Sequence, residues 1–245
     1  PGPPRNTPVP HTVRQPTRSS RPLPDLPVTV DTVIFTVLDA TLQVLLVRRG
    51  EDAFEGLWSL PGGFVEPSEP LEAAALRELR DATGVTDVYL EQLYTFGEPD
   101  RDPRERVITV AYFAIVNLFE HPVAASTDAR RAGWFRCDEP PELAFDHARI
   151  VAMATDRLRA KVHYEPIVFE FLPEKFTLRA VQRFYETVLG HELDKRNFRK
   201  KIHGTGLLVP TEEVEMDVAH RAAQLYRFDR ERYDRIRRER FEWVV

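Results

Sequence analysis

The most chemically suggestive stretch of this 245-residue chain runs from Gly63 to Val85, GFVEPSEPLEAAALRELRDATGV. Glu69 follows Gly63 after five residues, Arg77-Glu78-Leu79 follows after seven more, and Asp81, Gly84 and Val85 complete the series. On a helix, positions 78, 81 and 82 stand at i, i+3 and i+4 and share one face. Carboxylates gathered there repel one another unless something positive lies among them. A hard divalent cation such as Mg²⁺, with oxygen ligands, answers that need, and it can neutralise a diphosphate and activate a water. Arg77, one position earlier, can pair with the same carboxylates and hold their geometry. The plainer alternative is a solvated Glu/Arg helix with i,i+4 pairs; the Gly-Gly loop and the fixed spacing count against it.

A second stretch, Lys195–His203 (KRNFRKKIH), carries different chemistry. Phe198 and Ile202 lie at i, i+4 and can anchor the helix to a core. Arg196, Arg199 and Lys200 then face away, flanked by Lys195, Asn197 and Lys201. Lysine and arginine reach phosphates and guanine edges, and asparagine can bridge adenine. A solvated basic helix is the competing reading. Placement in a helix-turn-helix favours DNA.

The elements that must position these residues are legible from pattern. Val28 to Leu38 alternates and is rich in β-branched residues, and Thr41 to Val47 answers it across Asp39-Ala40, so the pair reads as a hairpin. Leu57 to Leu60 leads into Pro61-Gly62-Gly63, read as a tight turn. Pro70 to Thr83 is helical, with Gly84 at the C-terminal cap position. Asp87 to Phe96, Arg106 to Leu118 and Gly133 to Arg136 are strands, and Asp146 to Val162 is an amphipathic helix. This order indicates an α+β domain with a mixed sheet. After His163 the pattern changes. Ile167 to Leu172 is a short apolar run, and Thr177 to Leu189 is a helix closed by Gly190. Asp194 can cap the basic helix. Leu207 to Val209 and Gln224 to Phe228 supply the strands of a wing, whose tip, Thr211 to Asp217, is acidic. If the wing contacts DNA, His220 and Arg221 are better candidates than its tip. The chain divides into a Pro/Arg-rich disordered arm (1–24), an α+β domain (25–162) and a winged helix-turn-helix domain (163–245).

The Gly63–Val85 pattern resembles the Nudix box, G-x5-E-x7-R-E-U-x-E-E-x-G-U with U apolar, and the preceding Leu60-Pro-Gly-Gly-Phe64 is also typical of that family. The departure is Ala82, which stands where family hydrolases carry the second acid of the Glu-Glu pair, beside Asp81 in place of the longer glutamate. With Glu78 and Asp81 as the residual catalytic and metal-binding acids, Mg²⁺ is held weakly if at all, and hydrolysis is expected to be poor or absent. Losing a general base costs about 10²–10⁴ in rate. Glu98, Asp100, Asp102 and Glu105 are available to substitute from a loop. Ala144-Phe-Asp-His-Ala148, Tyr164 to Thr177 and Leu193 to Phe198 extend the likeness to the Nudix-related transcriptional regulators, over about residues 25 to 240. The resemblance implies a Nudix α/β/α sandwich followed by a winged helix, and a homodimer on a pseudo-palindromic operator. It also implies ADP-ribose or a related sugar as effector, and genes of NAD or pentose metabolism as targets. It puts the ligand across Gly62, Gly63, Trp58 and Phe64, with Arg49, Arg77, Asp146 and His147 nearby, and leaves DNA binding without need of a cofactor.

Composition bounds the alternatives. The chain is 42% hydrophobic and 30% charged, with net charge −5. No run approaches the roughly 18 apolar residues of a membrane span. Cys137 is the only cysteine, which excludes an internal disulfide and multi-cysteine metal sites. A cytoplasmic protein is expected. The acidic balance argues against a DNA partner until it is counted by segment. Residues 1–22 carry four arginines and no acid, residues 23–160 carry 13 basic and 24 acidic side chains, and residues 161–245 carry 17 and 15. An active Mg²⁺-dependent nucleotide-sugar pyrophosphatase is the alternative function; Ala82 speaks against it and it leaves the basic helix without a use. An RNA-interacting hydrolase would need an aromatic single-strand platform, which the sequence lacks.

Overall fold

The computed structural model describes residues 26–50, 53–86, 88–118, 132–216 and 222–238. The arm of residues 1–24 lies outside the described residues, as do His220 and Arg221.

Strand β1 (Val28–Leu38) is the organising element. Its alternating β-branched residues are buried on both faces, so it must be central. β2 (Thr41–Arg48) folds back on it antiparallel, through a turn in which Asp39 and Ala40 both take positive φ, 49° and 55°. Such a turn matches the right-handed twist of the flanking strands. Then follow β3 (Trp58–Ser59), β4 (Gly62–Phe64), α1 (Leu71–Thr83), β5 (Tyr89–Phe96), β6 (Ile108–Ile115), β7 (Ala132–Arg136) and α2 (His147–Lys161). The sheet order is β3-β2-β1-β6-β5, with β4 paired to β1 and β7 to β2. β1 and β6 run parallel, and the other pairs are antiparallel.

Gly62–Phe64 is a strand where a tight turn was expected. The reason is the length of β1, which pairs twice: its second half with β2, and Thr29–Asp31 with β4. Asp31 thereby stands opposite Gly62, and Val30 opposite Gly63.

Each face of the sheet is covered by one helix. Ala74, Ala75 and Leu79 of α1 pack towards Val30 and Ile34. Ile150, Val151, Ala154 and Leu158 of α2 pack with Val33 and Phe35 on the other side. This is an α/β/α sandwich. Pro70 precedes the first turn of α1, and Gly84 ends it in the left-handed region at φ 76°, donating its N–H to the Arg80 carbonyl.

A single 3-10 turn (Ile167–Phe171) leads into the C-terminal unit: β8 (Phe176–Thr177), α3 (Leu178–Leu189), α4 (Lys195–Gly204), β9 (Leu208–Val214), β10 (Gln224–Phe228) and α5 (Arg230–Arg238). β8, β10 and β9 form a three-stranded antiparallel sheet against α3 and α4, a winged helix. The two units share one apolar core, which runs from Val33 and Phe35 through Leu158 and Phe171 to Tyr185, Phe198 and Tyr233. Three polar links join them as well. Asn117 Nδ2 donates to the Leu172 carbonyl, Arg159 Nε to that of Val188, and Thr187 Oγ1 to that of Ala40.

Candidate functional site

The double pairing of β1 opens a cavity of about 410 Å³ at the edge where β4 meets β1. Asp31 (β1), Arg49 (after β2), Gly62, Gly63 and Phe64 (β4), Arg101, Asp102 and Arg104 (the β5–β6 loop), and Phe145 and His147 (the entry to α2) line it. Of the eight ligand residues expected from sequence, Arg49, Gly62, Gly63, Phe64 and His147 reach this cavity. Trp58 packs edge-on against Phe135, and Asp146 and Arg77 stand behind the wall, each holding a lining residue or the loop itself.

Gly62 is a glycine for a steric reason. A methyl group there would lie 2.4 Å from both Asp31 Oδ1 and the Val30 carbonyl oxygen. At Gly63 a methyl would meet the Glu78 carboxylate instead, which is the flexible end of a side chain.

Under the cavity floor lies a buried polar cluster. Arg101, with 4% of its side chain exposed, donates twice to Asp146, from Nη2 at 2.7 Å and from Nε at 3.2 Å, and lies 3.5 Å from Asp31 Oδ2. His147 Nδ1 accepts the Leu60 amide at 2.9 Å. A neutral His147 therefore carries its proton on Nε2, which faces Asp31 Oδ1 at 3.5 Å. Burial pushes the His147 pKa below its ordinary value, against the opposing pull of Asp31. Leu60 begins the Leu-Pro-Gly-Gly run, so this imidazole fixes the loop that carries both glycines.

Phe145 is the aromatic centre of the wall. The Arg49 guanidinium carbon lies 4.7 Å from its ring centroid, Phe54 meets it edge-on at 4.8 Å, and the His147 ring lies 5.2 Å away. Phe145 and Phe54 both adopt positive φ, 56° and 64°. Bulky side chains rarely accept that region, and the backbone is held there by the packing around it. Arg104 pairs with Asp102, whose carboxyl is kept below the usual carboxylate range by that hydrogen-bonded guanidinium. Arg49 Nε donates to the Ala53 carbonyl, and Arg49 forms no ion pair among the described residues. It is the cavity's uncompensated cation, the charge expected where an anionic ligand docks.

Sequence reading missed Asp31, Arg101 and Phe145. Asp31 sits in an alternating strand and reads as an outward polar residue. Arg101 belongs to a charge-rich loop. Phe145 lies within the Ala144–Ala148 segment, whose likeness to the family is a usable signal, but an aromatic beside Asp146 and His147 carries no charge or donor to mark it.

The box helix behaves differently from a metal centre. Arg77 donates to Glu69 at 2.9 Å, to Glu78, and to the Phe64 carbonyl at 3.1 Å, so a guanidinium occupies the position among the carboxylates. The hydrogen bond from Arg77 holds the Glu69 pKa below its ordinary value. Asp81 is 60% exposed beside Arg80, and Ala82 packs against the apolar cluster of Ile34 and Leu79. No three His, Cys, Asp or Glu side chains converge as a metal ion requires among the described residues. Glu69 and Glu78 are engaged by Arg77, and Asp81 lies beside Arg80.

The second site is α4. Phe198 and Ile202 are buried, as the spacing predicts, while Lys195, Arg196, Asn197, Arg199, Lys200 and Lys201 are all exposed. None of the five cations forms an ion pair among the described residues. Asp194 Oδ1 accepts the Asn197 amide at 2.8 Å and caps the helix. The turn before it is fixed by Gly190 at φ 76° and by Glu186, which accepts the Leu193 amide at 2.9 Å. β9 continues to Val214, further than the Leu207–Val209 expected, because Gln224–Phe228 offers it a full partner.

A domain that encloses a polar cavity, joined to a winged helix whose basic helix forms no ion pair among the described residues, has the build of a transcription regulator of the sensor-plus-reader class. Residues 28–154 match the NUDIX domain, and residues 168–228 match the NrtR DNA-binding winged helix domain. The ADPR responsive transcriptional repressor NtrR of Acinetobacter baylyi is 37% identical over 210 residues, covering 84% of this chain and 83% of the relative. The crystal structure of Shewanella oneidensis NrtR complexed with a 27mer DNA superposes with a TM-score of 0.75 at 35% identity, over 82% of this chain and 93% of that one. The ADP-ribose pyrophosphatase of Methanocaldococcus jannaschii is 36% identical over 115 residues, 47% of this chain and 67% of the enzyme. The chain belongs to the NrtR family of transcriptional repressors, in which a NUDIX domain is joined to a DNA-binding winged helix. No helix of the described residues is long and apolar enough to cross a membrane.

Proposed function

We propose that this chain represses transcription in response to ADP-ribose, which it binds in the Asp31–Arg49–Phe145 cavity while α4 reads operator DNA. The observation that carries the reading is one core holding two sites of opposite design: a cavity with an uncompensated arginine, and a helix whose cations face solvent unpaired. Arg49 suits a diphosphate, Phe145 and Phe64 suit a base or ribose face, and about 410 Å³ lies within the ordinary size of small-molecule sites. The relatives named for ADP-ribose lend the effector its identity. Binding proceeds without Mg²⁺, because Arg77 already neutralises Glu69 and Glu78. The chain acts as a homodimer on a pseudo-palindromic operator, in the cytoplasm.

Fluorescence anisotropy with DNA from upstream of the chain's own gene tests this. The full chain binds at low salt, and ADP-ribose releases it in the presence of EDTA. Arg196→Ala with Lys200→Ala loses DNA binding and keeps ligand affinity, whereas Arg49→Ala keeps DNA binding and loses the response to ligand. DNA binding that is indifferent to ADP-ribose at millimolar concentration overturns the assignment of effector. The second reading, an active pyrophosphatase, is favoured by the likeness to the archaeal ADP-ribose pyrophosphatase. Release of AMP from ADP-ribose and Mg²⁺ at an ordinary enzyme's rate, about 10 s⁻¹, would establish it.

A further inference from the structure

The matched winged-helix region ends at Phe228, and α5 begins two residues later. This helix carries five arginines and two acids in nine residues, RERYDRIRR. It is not a loose tail. Tyr233 is buried, Ile236 packs against the shared core, and the Asp229 amide donates to the Leu207 carbonyl at 2.8 Å. Asp229 Oδ1 also accepts the Arg232 amide at 2.9 Å and caps the first turn. The start of α5 is thus tied to the residue that follows the α4 turn.

The side chains give that tie a direction. The Arg232 guanidinium lies over Gly206, in the turn that leaves α4, so closely that a methyl there would come within 3.0 Å of Nη2. Arg235 follows at i+3, about 60° away on the helical wheel, and extends the same flank. Both are exposed, and neither forms an ion pair among the described residues. Arg230, by contrast, is neutralised by Glu170 at 2.6 Å on the side towards the sensor domain. Two exposed guanidiniums, one of them seated over the turn that leaves α4 and neither in an ion pair among the described residues, match the phosphates of a duplex that runs past that helix.

We propose that Arg232 and Arg235 of α5 form a second DNA contact, a sequence-independent clamp on backbone phosphates flanking the bases that α4 reads. The proposal rests on the reading of α4 as the DNA-contacting helix. Guanidiniums suit this task because their forked donors match a phosphate. Phosphate contacts position a protein and add salt-dependent affinity without adding specificity.

Anisotropy titrations of the full chain across a series of salt concentrations separate the outcomes. One labelled duplex carries the DNA upstream of the chain's own gene and another is its scrambled counterpart. Arg232→Ala with Arg235→Ala weakens binding to both duplexes by a similar factor, roughly tenfold or more at low salt. It also lowers the slope of log K against log salt by about 0.9 per arginine lost. Arg232→Lys with Arg235→Lys keeps most of the slope, Arg235→Glu alone weakens binding further than Arg235→Ala, and Arg237→Ala leaves binding unchanged. Thermal melting confirms that each variant folds; should the double alanine variant not fold, the single Arg235→Glu carries the test. A wild-type chain that binds while the variants keep its slope overturns the clamp and leaves α4 untouched. A change in oligomeric mass without a change in slope assigns the flank to a protein interface and overturns it too. A wild-type chain that binds neither duplex removes the reading of α4 and the clamp together.

Discussion

Two residues at the cavity show how narrowly the site is constrained. Gly62 and Gly63 are adjacent, yet they tolerate substitution differently. Gly62→Ala drives a methyl into the Asp31 carboxylate and the Val30 backbone, which are held by the sheet, and overpacking of that kind costs about 1–3 kcal/mol. Gly63→Ala meets only the Glu78 carboxylate, which can swing aside. Gly62→Ala is therefore expected to lower the Tm by several degrees more than Gly63→Ala, a difference that calorimetry measures directly. His147 supplies the second expectation. Its folded-state pKa lies below that of the unfolded chain, mainly through burial, with Asp31 and Asp146 opposing and Arg101 and Arg49 adding to the shift. The unfolded chain therefore takes up this proton first as pH falls. The contribution of a neutral His147 is complete above about pH 6.5 and is lost as pH drops below it. Urea titrations at pH 7.5 and 5.5 should show stability falling towards the acid side, and His147→Gln should flatten that fall.

At the scale of the element, the caps decide how well the reading helix is presented. Asp194 holds the first turn of α4 through the Asn197 amide, and Thr177 does the same for α3 through the Ala180 amide. Asp194→Ala is expected to cost about 1 kcal/mol and to weaken DNA binding, while Asp194→Asn or Ser retains most of both. Equal DNA affinity in Asp194→Ala, measured by anisotropy, would mean that the duplex itself orders the helix. The cap, the Gly190 turn and the Phe198–Ile202 spacing were all legible in the sequence, because each is set by neighbours within four residues. The extent of β9 and the strand character of Gly62–Phe64 were not. Both depend on a partner strand distant in the chain: Gln224–Phe228 for the first and Thr29–Asp31 for the second.

Over the whole molecule the continuity of the core is the property with consequences. The cluster that contains Val33 and Phe35 of the sensor also contains Tyr185, Phe198 and Tyr233 of the reader, and Asn117, Arg159 and Thr187 add hydrogen bonds across the junction. Units that share buried side chains lose them together. Thermal unfolding is accordingly expected as one cooperative transition, which ADP-ribose shifts upward as a whole by mass action. Two resolved transitions in calorimetry, of which only one moves with ligand, would show that the junction is energetically weak. The net charge of −5 also takes on its meaning at this scale. It belongs to the sensor, whereas the basic flanks of α4 and α5 are collected on the reader.

By itself the sequence determined the order of elements, the box helix with its missing acid at Ala82, and the basic helix with its anchors and cap, since period, spacing and capping chemistry are local. Only the tertiary structure decided what surrounds the cavity. Asp31, Arg49, Arg101, Phe145 and His147 come from four separate segments, brought together because β1 is long enough to pair with two strands and because the β5–β6 loop and the entry to α2 close over the same edge. A periodic pattern reports which face of an element is buried. It does not report which distant side chains meet there, because that is settled by pairing across the sheet.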